Sequence, residues 1–293
     1  MTAVVSPRAA AARRAGHRLP AWALFAGLIA CAGLPIYIHA PKFYVDEYGV
    51  SLAALGGVLF GLRLLDVVQD PALGWLSERF RHRRRAMVAV AAGLMAASMV
   101  GLFAVVPPVQ PLAWFALTLA VLFSSFSLLT ITFYAEGVTK AETLGRNGHL
   151  RLAGWRETGA LAGVSLAAVA PVVLGVATDH PFAGFAAGFS ILAIVAVWSM
   201  HGEWTGRGLA PAGNLGTILR DGPSRWLLAV ALVNAAPVAV TSTLFLFFVE
   251  SRLQAPGAEG PLLLLFFLSA AASAPIWSRL AARFGAKRVL LAG

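Results

Sequence analysis

The chain has 293 residues, 59% of them hydrophobic and only 12% charged, with a mean hydropathy of +0.77 and a formal net charge of +10. A soluble domain carries about 25% charged residues, and a soluble core of this length could not bury so much apolar surface, so a water-soluble globular protein is excluded. The positive charge does not mark a nucleic-acid binder, because the basic residues form short clusters between apolar runs rather than one basic tail or face.

In chain order, membrane spans are expected near residues 20–43, 52–77, 86–106, 111–136, 153–177, 182–201, 225–249 and 260–281, with a ninth beginning near Val289. Backbone groups in lipid must be satisfied within their own segment, so each span is expected to be a helix. Arg8, Arg13, Arg14 and Arg18 precede the first span as in a signal peptide, but no cleavage site leads into a soluble domain and more spans follow, so it reads as retained. It holds the lone cysteine, Cys31, a small apolar filler that excludes an internal disulfide. Trp22, Trp114 and Trp226 near span ends are expected to anchor at the membrane interface. His39 has no acidic partner nearby in sequence.

The loops test this scheme. Of the 23 Lys and Arg residues, twenty fall on one side, two (Lys42 and Arg252) on the other, and one, Arg63, inside the second span. That bias puts the N-terminus and the basic loops in the cytoplasm of a multi-pass cell (inner) membrane protein. The expected organisation is a cytoplasmic tail at 1–19, a six-helix bundle at 20–201, a Gly-rich cytoplasmic linker at 202–224 and a partial second bundle at 225–293. The second bundle repeats the first: Trp75 … Arg79-Phe80-Arg81-His82-Arg83 returns as Trp277 … Arg283-Phe284-Gly285-Ala286-Lys287. Such repeats build many transporters. The chain is therefore expected to be the first eight-and-a-fraction spans of a twelve-helix protein.

The second span carries the main chemical signal. Arg63, Asp66 and Asp70 are spaced i, i+3, i+7 and share one helix face. Each charge at mid-membrane costs about 2.5–3.5 kcal/mol, so three unpaired would oppose insertion by roughly 8–10 kcal/mol. They are expected to face the bundle interior. One arginine cancels one aspartate, and a bound Na⁺ or H⁺ would cancel the other; the alternative is a static ion-pair cluster. Pro71 removes a backbone donor beside Asp70, which reads either as an ion ligand or hinge or as a plain kink.

Asp66-x-x-x-Asp70-Pro71-x-x-Gly74, followed by Glu78-Arg79 and the basic loop, resembles the glycoside–pentoside–hexuronide:cation symporter family. That is the melibiose-permease branch of the major facilitator superfamily. Residues 44–51 (Tyr44 to Ser51) and 130–134 (Thr130 to Tyr134), with Arg151 and Arg156, also resemble it. The resemblance covers most of residues 40–165. It implies an all-α membrane protein with a major facilitator fold: an N-terminal six-helix bundle plus an incomplete C-terminal bundle. It implies a cation site at Asp66, Asp70, Gln69 and Ser127, with Arg63 tuning the charge and Na⁺ as the only metal expected. It implies solute contacts at Thr130, Tyr134 and Arg156, and a cytoplasmic gate or motif at Gly74, Glu78, Arg79, Arg83, Arg283 and Lys287. The family's span-four acid is replaced by Thr130, and the span-one acid is absent near Ala30, which weakens a melibiose-like galactoside. Arg156 leaves room for a solute bearing a carboxylate or phosphate.

Glu136 and Glu157 are expected either to pair with Arg151 or Arg156 as a gate or to be solvated helix ends. The Arg81-to-Arg85 run is expected first to set topology and beyond that to touch anionic lipid or the end of span four. No His/Cys metal spacing, Walker loop or Gly-x-Ser-x-Gly occurs, so no enzyme and no cofactor is expected. The expected function is secondary active symport of H⁺ or Na⁺ with a small sugar or sugar acid by alternating access, the chain acting as a monomer in the bilayer. A lysolipid or other facilitator or exporter of the same fold, or a non-transporting fragment, is the alternative.

Overall fold

The computed structural model describes residues 18–145, 147–205, 220–254 and 259–292. Among them there are helices and no strands. Eight long helices follow in order: α1 (Leu19–Tyr48), α2 (Leu52–Arg79), α3 (Arg84–Phe103), α4 (Pro111–Thr143), α5 (Gly148–Ala177), α6 (Pro181–Met200), α7 (Gly222–Ser251) and α8 (Glu259–Phe284). A short α9 (Ala286–Ala292) comes last, and a 3₁₀ turn at Arg81–Arg83 joins α2 to α3. Six of the described helices are long and apolar enough to cross a membrane, so the chain is an all-α, multi-pass membrane protein.

The expected spans correspond one to one with α1–α8, but α1 and α4 run on past their predicted ends to Tyr48 and Thr143. Local chemistry sets the boundaries. Gly49 ends α1 at φ +65°, a left-handed cap that glycine adopts without a Cβ penalty, and its N–H bonds to the Tyr44 and Val45 carbonyls. Two residues on, the Ser51 hydroxyl caps α2 by accepting from Ala54 N–H at 3.2 Å. Pro111 and Pro181 open α4 and α6, where a missing N–H costs nothing. The helix α2 continues unbroken through Pro71.

The chain divides into two compact units, residues 1–207 with 266–293, and residues 208–265. Within the first, α1 packs most closely along α5, α3 lies between α4 and α6, and α2 leans on α4. The α1–α5 seam is built from small residues. A Cβ at Gly159 would overlap the Ala23 carbonyl, and one at Gly163 would overlap the Gly27 carbonyl. Cys31 fills the next turn and points its thiol at the Gly163 carbonyl, 3.1 Å away. Backbones approach this closely where small side chains repeat every fourth residue. At the end of the bundle away from the basic loops, Phe43, Tyr44, Tyr48, Phe103, Phe115 and Phe182 form an aromatic cluster. In the second unit, Asp221 caps α7 by accepting from Ser224 N–H and Oγ–H, and these bonds hold its carboxyl below the usual range.

Candidate functional site

Three helices bring the charged face of α2 into a single cluster. Asp66 is engaged on both oxygens: Arg63 Nη1 lies 3.4 Å from Oδ2, and Gln69 Nε2 donates to Oδ1 at 2.9 Å. The Gln69 carbonyl oxygen in turn accepts from Ser124 Oγ of α4 at 2.8 Å. One turn along, Ser127 Oγ donates to Asp70 Oδ1 at 2.5 Å. From α1, the Tyr37 ring lies under the Arg63 guanidinium at 4.8 Å and stacks on Phe123 of α4. Of the residues predicted to act together, Asp66 meets Gln69 and Asp70 meets Ser127. Tyr37 and Ser124 complete the cluster and carried no charge or motif by which the sequence could single them out.

The two aspartates differ. Asp66 has a guanidinium and an amide donor, whereas Asp70 has one hydroxyl and, among the described residues, no cationic partner. The cluster holds two carboxylates and one guanidinium, and Asp70 keeps lone pairs free to accept a proton or coordinate a cation.

Along α4, Ser127, Thr130 and Tyr134 follow at spacings of three and four, so one face continues from the cluster toward the basic loops. The Thr130 hydroxyl is buried without a hydrogen-bond partner. Arg156 of α5 lies over the Tyr134 ring at 4.1 Å, its Nε also buried and unpartnered, and no acid pairs with it among the described residues. Arg156 and Tyr134 line a cavity of about 510 Å³ with Gly137, Val138, His149 and Leu152. Buried donors without partners are rare in folded proteins, and two lie on this stretch of α4 and α5.

At the basic-loop end, the structure corrects the expected pairing of Glu136. It binds neither Arg151 nor Arg156 but Arg84 at the start of α3, with Nη1 to Oε2 at 2.6 Å and both side chains almost fully buried (3% and 1% exposed). Its other oxygen accepts from Thr205 N–H at 2.9 Å and Thr205 Oγ–H at 2.5 Å. Glu157 is exposed and takes no ion-pair partner among the described residues. Arg84 is thus a buried structural member of a run read first for topology. Glu78 joins the same network, 3.5 Å from Arg84 and 3.8 Å from Arg81. Of the other expected motif residues, Arg79, Arg83, Arg283 and Lys287 are exposed, and Gly74 faces open space.

A second buried acid lies close by. Glu203 accepts from Trp22 Nε1 at 2.9 Å and pairs with Lys140 at 2.5 Å and Arg18 at 3.6 Å. Trp22 is therefore a core residue rather than an interface anchor. Trp204 is buried beside it against Phe25, so residues 203–205 fold back onto the bundle. Ser77 and Thr132, 2.9 Å apart, tie α2 to α4 between this network and the cluster.

A family model described as MFS/sugar transport protein matches residues 21–293. No curated protein and no solved structure matches the chain significantly.

Proposed function

The chain belongs to the MFS/sugar transport protein family, and from that premise we propose that it is a secondary active transporter coupling H⁺ or Na⁺ to a small solute of the sugar or sugar-acid class. The observation that carries the reading is the unbalanced α2 cluster. Arg63 pairs with Asp66, and Asp70 is left with a hydroxyl alone among the described residues. A net negative charge at membrane depth costs about 2.5–3.5 kcal/mol. One bound cation removes that cost, so occupancy changes which conformation is favoured, as symport requires.

In this reading Asp66, Asp70, Gln69 and Ser127 hold the cation and Arg63 tunes it. Thr130, Tyr134 and Arg156 contact the solute. Arg156 has no acid of its own among the described residues and Thr130 stands where a carboxylate would grip hydroxyls, so a sugar acid fits better than a neutral galactoside. The basic end of the bundle is cytoplasmic, the membrane is the cell (inner) membrane, and the monomer is the working unit. Gly74, Glu78, Arg79 and Arg83, with Arg283 and Lys287 in the repeat, belong to the cytoplasmic gate.

The test is uptake of neutral sugars and uronates into vesicles under an imposed Na⁺ or H⁺ gradient. Accumulation above the external concentration that collapses with one ionophore is expected. Equilibration without accumulation for every solute would leave a facilitator.

A further inference from the structure

We propose that the groove between α2, α3 and α4 binds an anionic glycerophospholipid, its phosphate on Arg83 and an acyl chain along α3. The groove has a volume of about 390 Å³. Leu73 and Leu76 of α2, Met87, Val90 and Leu94 of α3 and Leu128 of α4 give it an apolar lining. From Ala86 to Leu94 it follows α3 for about 12 Å. Among the described residues its only charged lining residue is Arg83, at the basic-loop end next to Phe80.

Charge accounting within that loop singles out the anion. Glu78 and Glu136 engage Arg81 and Arg84. Arg79, Arg83 and Arg85 are exposed and have no acidic partner among the described residues. The Arg83 guanidinium at the end of an apolar groove, without an acidic partner among the described residues, matches a phosphodiester with its chain below it. A groove of similar size, about 440 Å³ between α1 and α5, provides a contrast. It is lined by residues such as Ala23, Leu24, Trp155 and Leu166 and, among the described residues, by no charged side chain, so these offer a lipid nothing to select a headgroup. The α2–α4 groove also abuts the polar cluster, because Ser124 in its wall donates to Gln69.

Native mass spectrometry of the purified full chain, with equimolar phosphatidylglycerol and phosphatidylcholine of identical acyl chains, tests this. Wild type is expected to retain phosphatidylglycerol in excess. Arg83→Gln should cut that excess about five- to tenfold. Arg151→Gln, which removes an exposed arginine elsewhere, should leave it. Ala86→Trp fills the groove without touching the charge and should lower retention independently, which keeps the proposal testable if Arg83→Gln misfolds. Equal retention of the two lipids by wild type overturns the proposal. So does wild-type retention of phosphatidylglycerol by Arg83→Gln or Ala86→Trp, or an equal loss in Arg151→Gln.

Discussion

Glu136 sits among a guanidinium, a backbone N–H and a hydroxyl, while Asp70 has, among the described residues, a single hydroxyl. The first carboxylate has both oxygens engaged by the protein; the second has one oxygen engaged, by a hydroxyl, among the described residues. Glu136→Ala leaves Arg84, only 3% exposed, with the partly exposed Glu78 at 3.5 Å as its remaining carboxylate among the described residues; losing one partner of a buried pair outright costs about 3–5 kcal/mol, so a loss near the lower end of that range is expected. Thermal unfolding in detergent should show that loss, and the double variant Arg84→Met/Glu136→Leu should recover much of it. Thr130→Val makes the opposite case. The hydroxyl has no partner among the described residues, so stability should hold or rise by up to about 1 kcal/mol, while apparent solute affinity in uptake assays falls roughly tenfold. If affinity is unchanged, Thr130 has no part in solute binding, whatever the stability does. At this scale the aspartates of α2 were legible because a charge in an apolar span needs a reason. The partner of Glu136 was not: Arg84 lies 52 positions away, inside a run of arginines that look alike in sequence and differ only in burial.

Among the elements, the α1–α5 seam shows how much small residues decide. Gly163→Ala would push a methyl into the Gly27 carbonyl, and overpacking of this kind costs about 1–3 kcal/mol. Gly74→Ala meets nothing within 4 Å, and alanine favours a helix interior by about 0.5–1 kcal/mol. Melting temperatures should therefore move in opposite directions for two identical substitutions in transmembrane helices. A pattern such as Gly159-x-x-x-Gly163 is visible in sequence, but its partner, the Ala23–Gly27 stretch, is a property of the packing. Span ends were misjudged for a related reason. Hydropathy reports where the apolar run stops, whereas α1 ends where Gly49 turns left-handed, and α4 continues through polar residues to Thr143. Pro71 did not break α2, and neighbouring helices commonly accommodate a proline in a membrane helix.

For the whole molecule, composition and span periodicity were enough for the fold class, because lipid permits few alternatives to helices. The site was half legible: α2 announced its charges and the family resemblance reached Ser127, Thr130 and Tyr134 of α4, but Tyr37 of α1 and Ser124 of α4 are neutral side chains that only proximity identifies. The proposed orientation can be checked by labelling. In the Cys31→Ser background, where serine can still donate to the Gly163 carbonyl, His82→Cys should react with an impermeant maleimide only from inside and Val106→Cys only from outside. Reaction of both from one side would contradict the topology. The most direct test of coupling compares two modes of transport in Asp70→Asn. With the charge neutralised, vesicles should lose gradient-driven accumulation while retaining solute exchange across the membrane. Accumulation at the wild-type level in Asp70→Asn would contradict the account at its centre.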